Sequence, residues 1–460
     1  MTPAIKCGKI EASKRREGIR LSKTVAILTQ GCKVNQYESE AIAEAFGAAG
    51  FAVISPTLSA DVYVINTCTV TAESDRKAGQ LIRRVQNQNP DAIVLVTGCF
   101  AQADTAAVAS IPGVDYICGN DRKLSVVEAA KTLLAAGKND PPTLAVGKLE
   151  EAAFEPMRIT RFDRTRAYVK IEDGCENRCA YCAIPGARGR VRSKPLADVV
   201  AEVEGLVAGG CREVVLTGIE TASWGRDLEG ASLMDLLEAV DVIPGLERMR
   251  LGSLYPTLIT ENFTHRLGAL SHLAPHFHLS VQSGSSAVLA AMRRRYTAEE
   301  AMAALQRLRK AVPLAEFTAD FIVGFPGESD AHFAETLRFV EEAEFLQIHV
   351  FSYSRRKGTV AATLPGQIPT AVKKARSAEL IAKGLACRDR RLQKALEHPH
   401  RTVLFETLEE GFALGHTDHF LEVAVPSHRP LHGELHPVVL RAVENGRLIA
   451  EWEDRPCKNK

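Results

Sequence analysis

The chain has 460 residues, 46% hydrophobic and 25% charged, with Lys+Arg 57 against Asp+Glu 56 and a net charge of +1. That is an ordinary globular composition long enough for two or three domains. With no global basic excess, any nucleic-acid partner must be met by local patches such as Arg293-Arg294-Arg295, Arg355-Arg356-Lys357 and Arg388 with Arg390 and Arg391. No apolar run is long enough to span a bilayer, and no apolar secretory leader precedes the 11 cysteines. A cytoplasmic setting is expected, where reduced thiols favour metal or catalytic roles over disulfides.

Met1 to Lys23 is charged and without periodicity, which predicts a disordered leader. From residue 24, β-type runs (Val25–Leu28, Val62–Ile65, Ile93–Val96) alternate with helical stretches (Tyr37–Ala49, Ser74–Gln88, Leu124–Ala136). That alternation predicts a parallel sheet covered on both faces, a Rossmann-like first domain over 24–136. Cys32, Cys68 and Cys99 each follow one of the runs, beside Gly, Asn or Thr. Ligands gather at the carboxyl ends of strands in open α/β sheets, so the three thiols are expected to converge. Cys118 ends the run DYIC without that turn chemistry and is assigned to the core. Residues 137–163, with Pro141, Pro142 and Pro156, read as a linker carrying at most one short strand near Leu144.

Residues 164–397 begin a second series, with strands Ala167–Ile171, Val214–Leu216, Arg248–Leu251, His278–Val281, Phe317–Val323 and Leu346–Phe351 separated by helices. Six β-then-α units predict a partial TIM-type barrel with its chemistry at the carboxyl ends of the strands. Directly after the first strand comes KIEDGCENRCAYCAIPGARGRVRS, in which Cys175, Cys179 and Cys182 have C-x3-C-x2-C spacing. Three thiolates so close cannot all pair as disulfides. A structural zinc would want a fourth Cys or His nearby, and none follows before Cys211. A 4Fe–4S cubane held by three of them keeps one iron open for an exogenous ligand. Tyr181 lies where a ring would shield such a cluster. Gly218, Glu220, Gln282, Ser283 and Gly324, in the turns after later strands, are the expected walls of a ligand pocket. A long helix from Thr370 to Leu396 leads to five short strand candidates in residues 398–453. These predict a small β-barrel, an architecture that commonly binds oligonucleotides, with His416, His419, His428, His432 and Arg429 as a candidate face. The alternative for that barrel is a module that only docks on the rest.

The cysteine loop resembles that of radical S-adenosylmethionine (SAM) enzymes. From residue 24 to residue 452 the chain resembles tRNA methylthiotransferases. GCKVNQYESE (31–40), VINTCTVT (64–71), GCFAQ (98–102), GARGRVRS (186–193), LTGIET (216–221) and IVGFPGE (322–328) are most similar to the type acting on N6-threonylcarbamoyladenosine 3′ of the anticodon. Ser280-Val281 before QSG and Val360 after Gly358-Thr359 depart from it, where proline is usual. The resemblance implies two 4Fe–4S clusters, one at Cys175, Cys179 and Cys182 and one at Cys32, Cys68 and Cys99. It implies SAM as radical source and methyl donor, a TRAM-type barrel at the carboxy terminus and the anticodon stem-loop of tRNA as partner. An electron donor such as flavodoxin or ferredoxin is also implied, as is delivery of a methylthio group to C2 of the adenine. Sister types act on isopentenyladenosine or on a ribosomal-protein aspartate. A cobalamin-binding radical enzyme is disfavoured, because no D-x-H-x-x-G stands in residues 24–136. A non-catalytic RNA-binding protein with a structural metal is the remaining alternative.

Overall fold

The computed structural model describes residues 22–453, so the predicted leader lies, but for its last two residues, outside the described residues. The first domain is a six-stranded, wholly parallel sheet in which Thr24–Thr29, Val62–Thr67 and Ile93–Gly98 are consecutive neighbours. The two central strands are buried at every position, as strands covered on both faces must be. Ala52–Ile54 adds an edge strand that its short, half-exposed sequence does not announce. On the other side the sheet continues through Tyr116–Cys118 to Thr143–Ala145, inside the stretch read as a linker. Cys118 is fully buried on the face packed with Val126 and Ala130, as expected of a core cysteine.

The second domain is an incomplete barrel of parallel strands. Ala167–Lys170, Glu213–Thr217 and Arg248–Leu251 form one sheet; Ser253–Leu254, His276–Gln282, Glu316–Val323 and Gln347–Ser352 form the other. The two are joined within one strand that breaks at Gly252, so the order follows the chain. Helices Leu233–Asp241, Ala298–Ala311 and Asp330–Ala343 each start at a Ser or Thr whose side chain takes a backbone N–H of the first turn. Their apolar faces close over a core containing Phe277, Phe317, Phe321 and Phe345. Full burial of each such ring stabilises by roughly 1.5–3 kcal/mol.

The carboxy-terminal strands His400–Glu409, Phe412–Thr417, Glu422–Pro426, Leu435–Glu444 and Arg447–Trp452 close into a barrel. It docks on the amino-terminal ends of the larger barrel's strands. Arg248 and Arg250 there donate to the Thr402, His416 and Asp418 carbonyls. This corrects the expected histidine face. His416 is stacked on Phe420 and paired with Glu406, and His419 is buried and paired with Asp418. Only His428, Arg429 and His432 of that set stay exposed. The basic triplets are also partly consumed: Arg391 pairs with Glu316 and Arg356 with Asp75. No helix among the described residues is long and apolar enough to cross a membrane.

Candidate active site at the domain junction

Cys68 and Cys99 stand immediately after Thr67 and Gly98, which are paired in register, and Cys32 follows Thr29 on the neighbouring strand. Three adjacent parallel strands therefore deliver the three thiols to one edge of the sheet. The loops are tied by Asn35, whose side-chain amide donates to the Gln30 and Thr67 carbonyls at 2.7 and 3.0 Å. Asn66 in turn donates to the Asn35 carbonyl. Gly31 lies so close to Cys68 that a Cβ there would stand 3.1 Å from the sulfur. The predicted convergence of Cys32 with Cys68 and Cys99 is thus built by the asparagines and glycine of the same motifs.

The second trio lies after the first strand of the barrel. At Gly174 the backbone has φ +89°, and a Cβ would collide with the Arg190 carbonyl. The Cys175 amide donates to the Gly189 carbonyl at 3.0 Å, and the Ala180 amide to that of Met292 at 2.9 Å, so the loop is pinned at both ends. Burial raises the Cys175 thiol to about 12 and the Cys182 thiol to about 11. Cys68 is raised by burial to about 11, and Cys32 is also raised. Metal binding to these neutral thiols therefore releases protons.

The donor set tests which metal suits them. A structural zinc takes four protein donors. Each trio offers only thiol sulfurs, with no histidine or carboxylate of the same motif among the donors. Three thiolates with no fourth protein donor suit a cuboidal cluster that keeps one iron open better than a structural zinc.

Around the barrel trio, Glu220 accepts from the Asn177 side chain at 3.0 Å, and burial raises its carboxyl to about 7. Arg294 donates to Cys179 Sγ at 3.4 Å while its guanidinium lies over the rings of Tyr255 and Tyr296 at 4.4 and 5.0 Å. Tyr181 is beside it, its phenol held neutral by burial. Gln282 has a left-handed φ of +69°, a strained conformation for a non-glycine at a strand end. Ser283 is buried against Thr336. Gly218 and Gly324 make room for protein neighbours: a Cβ would meet the Glu172 carboxylate at the first and the Lys373 side chain at the second. A cleft of about 480 Å³ opens beside Asn177, Glu220 and Tyr255.

Sequence reasoning missed Arg294, Asn177 and Arg188. The first was hidden in a basic triplet that reads as a solvated face. Its one available signal was the tyrosine two residues on. Arg188 is fully buried and reaches from the barrel loop to the amino-terminal trio, with Nε 3.1 Å from Cys99 Sγ.

Two family descriptions match the chain: the Radical SAM superfamily over residues 169–340, and Uncharacterized protein family UPF0004 over residues 24–119. The chain is 39% identical to the threonylcarbamoyladenosine tRNA methylthiotransferase MtaB of Bacillus subtilis, over 94% of this chain and 97% of that one. It is 38% identical to the MtaB of Thermotoga maritima, over 93% and 96%. A tRNA-2-methylthio-N(6)-dimethylallyladenosine synthase of Moorella thermoacetica is 35% identical over 84% and 89%. Among solved structures, the radical SAM methyltransferase TsrM of Kitasatospora setae superposes with a TM-score of 0.53 at 18% identity, covering 74% of this chain and 77% of that one. That likeness speaks for the fold alone. From the near-complete overlap with its curated relatives, the chain belongs to the threonylcarbamoyladenosine tRNA methylthiotransferase (MtaB) family of radical SAM enzymes.

Proposed function

We propose that this chain replaces the C2 hydrogen of N6-threonylcarbamoyladenosine with a methylthio group, at position 37 in the anticodon stem-loop of tRNA. The observation that carries the reading is the meeting of two three-thiol sites at one domain junction, in a chain of this family. Cys175, Cys179 and Cys182 would hold the cluster that binds SAM, and Cys32, Cys68 and Cys99 a second one. The target C–H is not acidic enough for a side-chain base, and the cluster with SAM supplies the radical chemistry it needs. The protein's own part is binding and shielding. Glu220, with Asn177 beside it, offers a buried acceptor near the barrel trio for the donor groups of SAM. Arg294, clasped by Tyr255 and Tyr296, keeps a cation against Cys179. A flavodoxin or ferredoxin would supply the electron.

Nucleoside mass spectrometry of tRNA from a strain lacking the protein tests the substrate. Loss of the methylthiolated threonylcarbamoyl nucleoside with the isopentenyl one intact is expected; the reverse pattern overturns the assignment. Iron and sulfide counts after anaerobic reconstitution test the sites. About eight irons per chain are expected, and about four in the triple variant C32A/C68A/C99A.

A further inference from the structure

The residue that joins the two trios is Arg188, whose side chain is fully buried. Its Nε–H donates to Cys99 Sγ at 3.1 Å, and Nη1 donates to Glu38 and, at 3.1 Å, to Asp173. Nη2 donates to the Asn35 side-chain oxygen. Every N–H direction of the guanidinium fork is therefore committed, one of them to sulfur. Both anchors matter to the sites. Asn35 ties the loops of Cys32 and Cys68, and Asp173 accepts from the Gly174 amide just ahead of Cys175. The short helix Ile184–Arg188 begins two residues after Cys182 and packs on the helix Cys99–Ala103, where Asn120 also donates to the Ala187 carbonyl at 2.6 Å. Around it, among the described residues, four buried cations, Lys123, Lys170, Arg188 and Arg192, share two carboxylates in ion pairs, Glu38 and Asp173, with Glu155 as a third carboxylate near Lys123 and Lys170. Arg192 keeps two nitrogens without partners. A buried positive excess calls for an anion, and Cys99 is the thiol it touches.

We infer that Arg188, carried by the radical-SAM loop, is a positioning residue for the amino-terminal cluster: its Nε–H hydrogen-bonds the Cys99 sulfur, raises that cluster's reduction potential and fixes it relative to the barrel trio. The inference rests on the two-cluster reading. Hydrogen bonds to cluster sulfurs are one of the protein's levers on potential, since they withdraw electron density from the ligand and favour the reduced state. Arg is suited because its rigid fork can bind Asp173, Glu38 and a sulfur at once; a lysine ammonium in the same place keeps the charge but not the fork.

The test uses the full chain carrying C175A/C179A/C182A, which leaves only the amino-terminal site. With Arg188 present, about four irons per chain are expected. Absence of that cluster would sink the two-cluster reading itself. The reduced cluster in protein labelled with 15N-arginine is expected to show a nitrogen hyperfine coupling by pulsed electron paramagnetic resonance. R188K in the same background is expected to lose the coupling and shift the midpoint potential downward, with the iron count unchanged. A cluster that forms without any arginine coupling, or an R188K potential equal to that with Arg188, overturns the inference. Should R188K fail to assemble, the coupling in the Arg188 protein decides alone.

Discussion

Glu220 is a carboxyl whose protonation is set first by burial and only then by the distant cations Arg294 and Arg226, so it is held up to about 7. The sign of its linkage follows. Below the ordinary carboxylate range both folded and unfolded chains carry the proton, and Glu220 costs nothing. As pH rises toward 7 the unfolded chain ionises freely while the folded one does not, and stability falls; above 7 the loss is constant. E220Q is therefore expected to raise the Tm of the metal-free protein at pH 8 and leave it unchanged at pH 4, read by thermal unfolding across that range. The same substitution removes a charged acceptor, and SAM affinity of the reconstituted enzyme is expected to drop about 10- to 100-fold by equilibrium dialysis. A Tm difference that does not change with pH would mean that Glu220 is ionised like a surface carboxylate. The residue was legible in the sequence from LTGIET, but its protonation was not, because it is set by burial in the assembled fold against the opposing charge of Arg294, far along the chain.

The strands of the carboxy-terminal barrel could be read from alternation, yet the side on which that barrel is used could not. Alternation reports which residues face the strand's own core; Phe420 and His416 instead serve a neighbouring domain. Phe420 stacks on His276 at 4.7 Å and lies under the Arg250 guanidinium at 5.1 Å. Beside it, Glu213 at the start of a barrel strand holds Arg166 and Arg250 at 2.7 and 3.0 Å, and Arg166 passes on to Glu406 at 2.7 Å. Despite desolvation by burial, His416 and Arg166 hold the Glu406 carboxyl down to about 2. Its contribution is full above the ordinary carboxylate range and is lost as pH falls from there toward 2. E406Q is expected to destabilise by at most about 3 kcal/mol at pH 7, with the gap from wild type closing below pH 3. Denaturant unfolding at the two pH values checks this. An equal gap at both would assign the loss to packing. With that face occupied, His428 and Arg429 are the exposed members of the expected set that lie clear of the docking contacts, since His432 bonds the Glu406 carbonyl at 2.9 Å. If the barrel binds RNA, H428A/R429A is expected to weaken tRNA binding several-fold and to flatten its salt dependence without changing Tm; unchanged binding would leave the barrel a docking module.

At the scale of the molecule, the fold brings an amino-terminal sheet edge onto the carboxyl mouth of a barrel, and the join is made largely of charge. The order of units was plain in the sequence because each βα repeat carries its own pattern. The join was not, because Glu38, Lys123, Lys170, Asp173 and Arg188 are scattered polar residues until the domains meet. Glu38 is the hub, fully buried and paired with Lys123, Lys170 and Arg188, which hold its carboxyl well below the usual range. Breaking one member of such a buried network costs about 3–5 kcal/mol, since the partners stay buried without compensation. E38Q should lower the Tm of the metal-free protein by that mechanism. It should also do something a packing defect would not. With Glu38 neutral, Lys170, Arg188 and Arg192 keep Asp173 as their ion-pair partner, with Glu155 near Lys123 and Lys170, and the anionic thiolate cluster proposed at Cys32, Cys68 and Cys99 would supply a larger share of the counter-charge. The stabilisation gained on anaerobic reconstitution is then larger in E38Q than in wild type, measured as the difference in Tm between metal-free and loaded protein. An equal gain in both would show that the junction charges and the amino-terminal thiols do not sense each other.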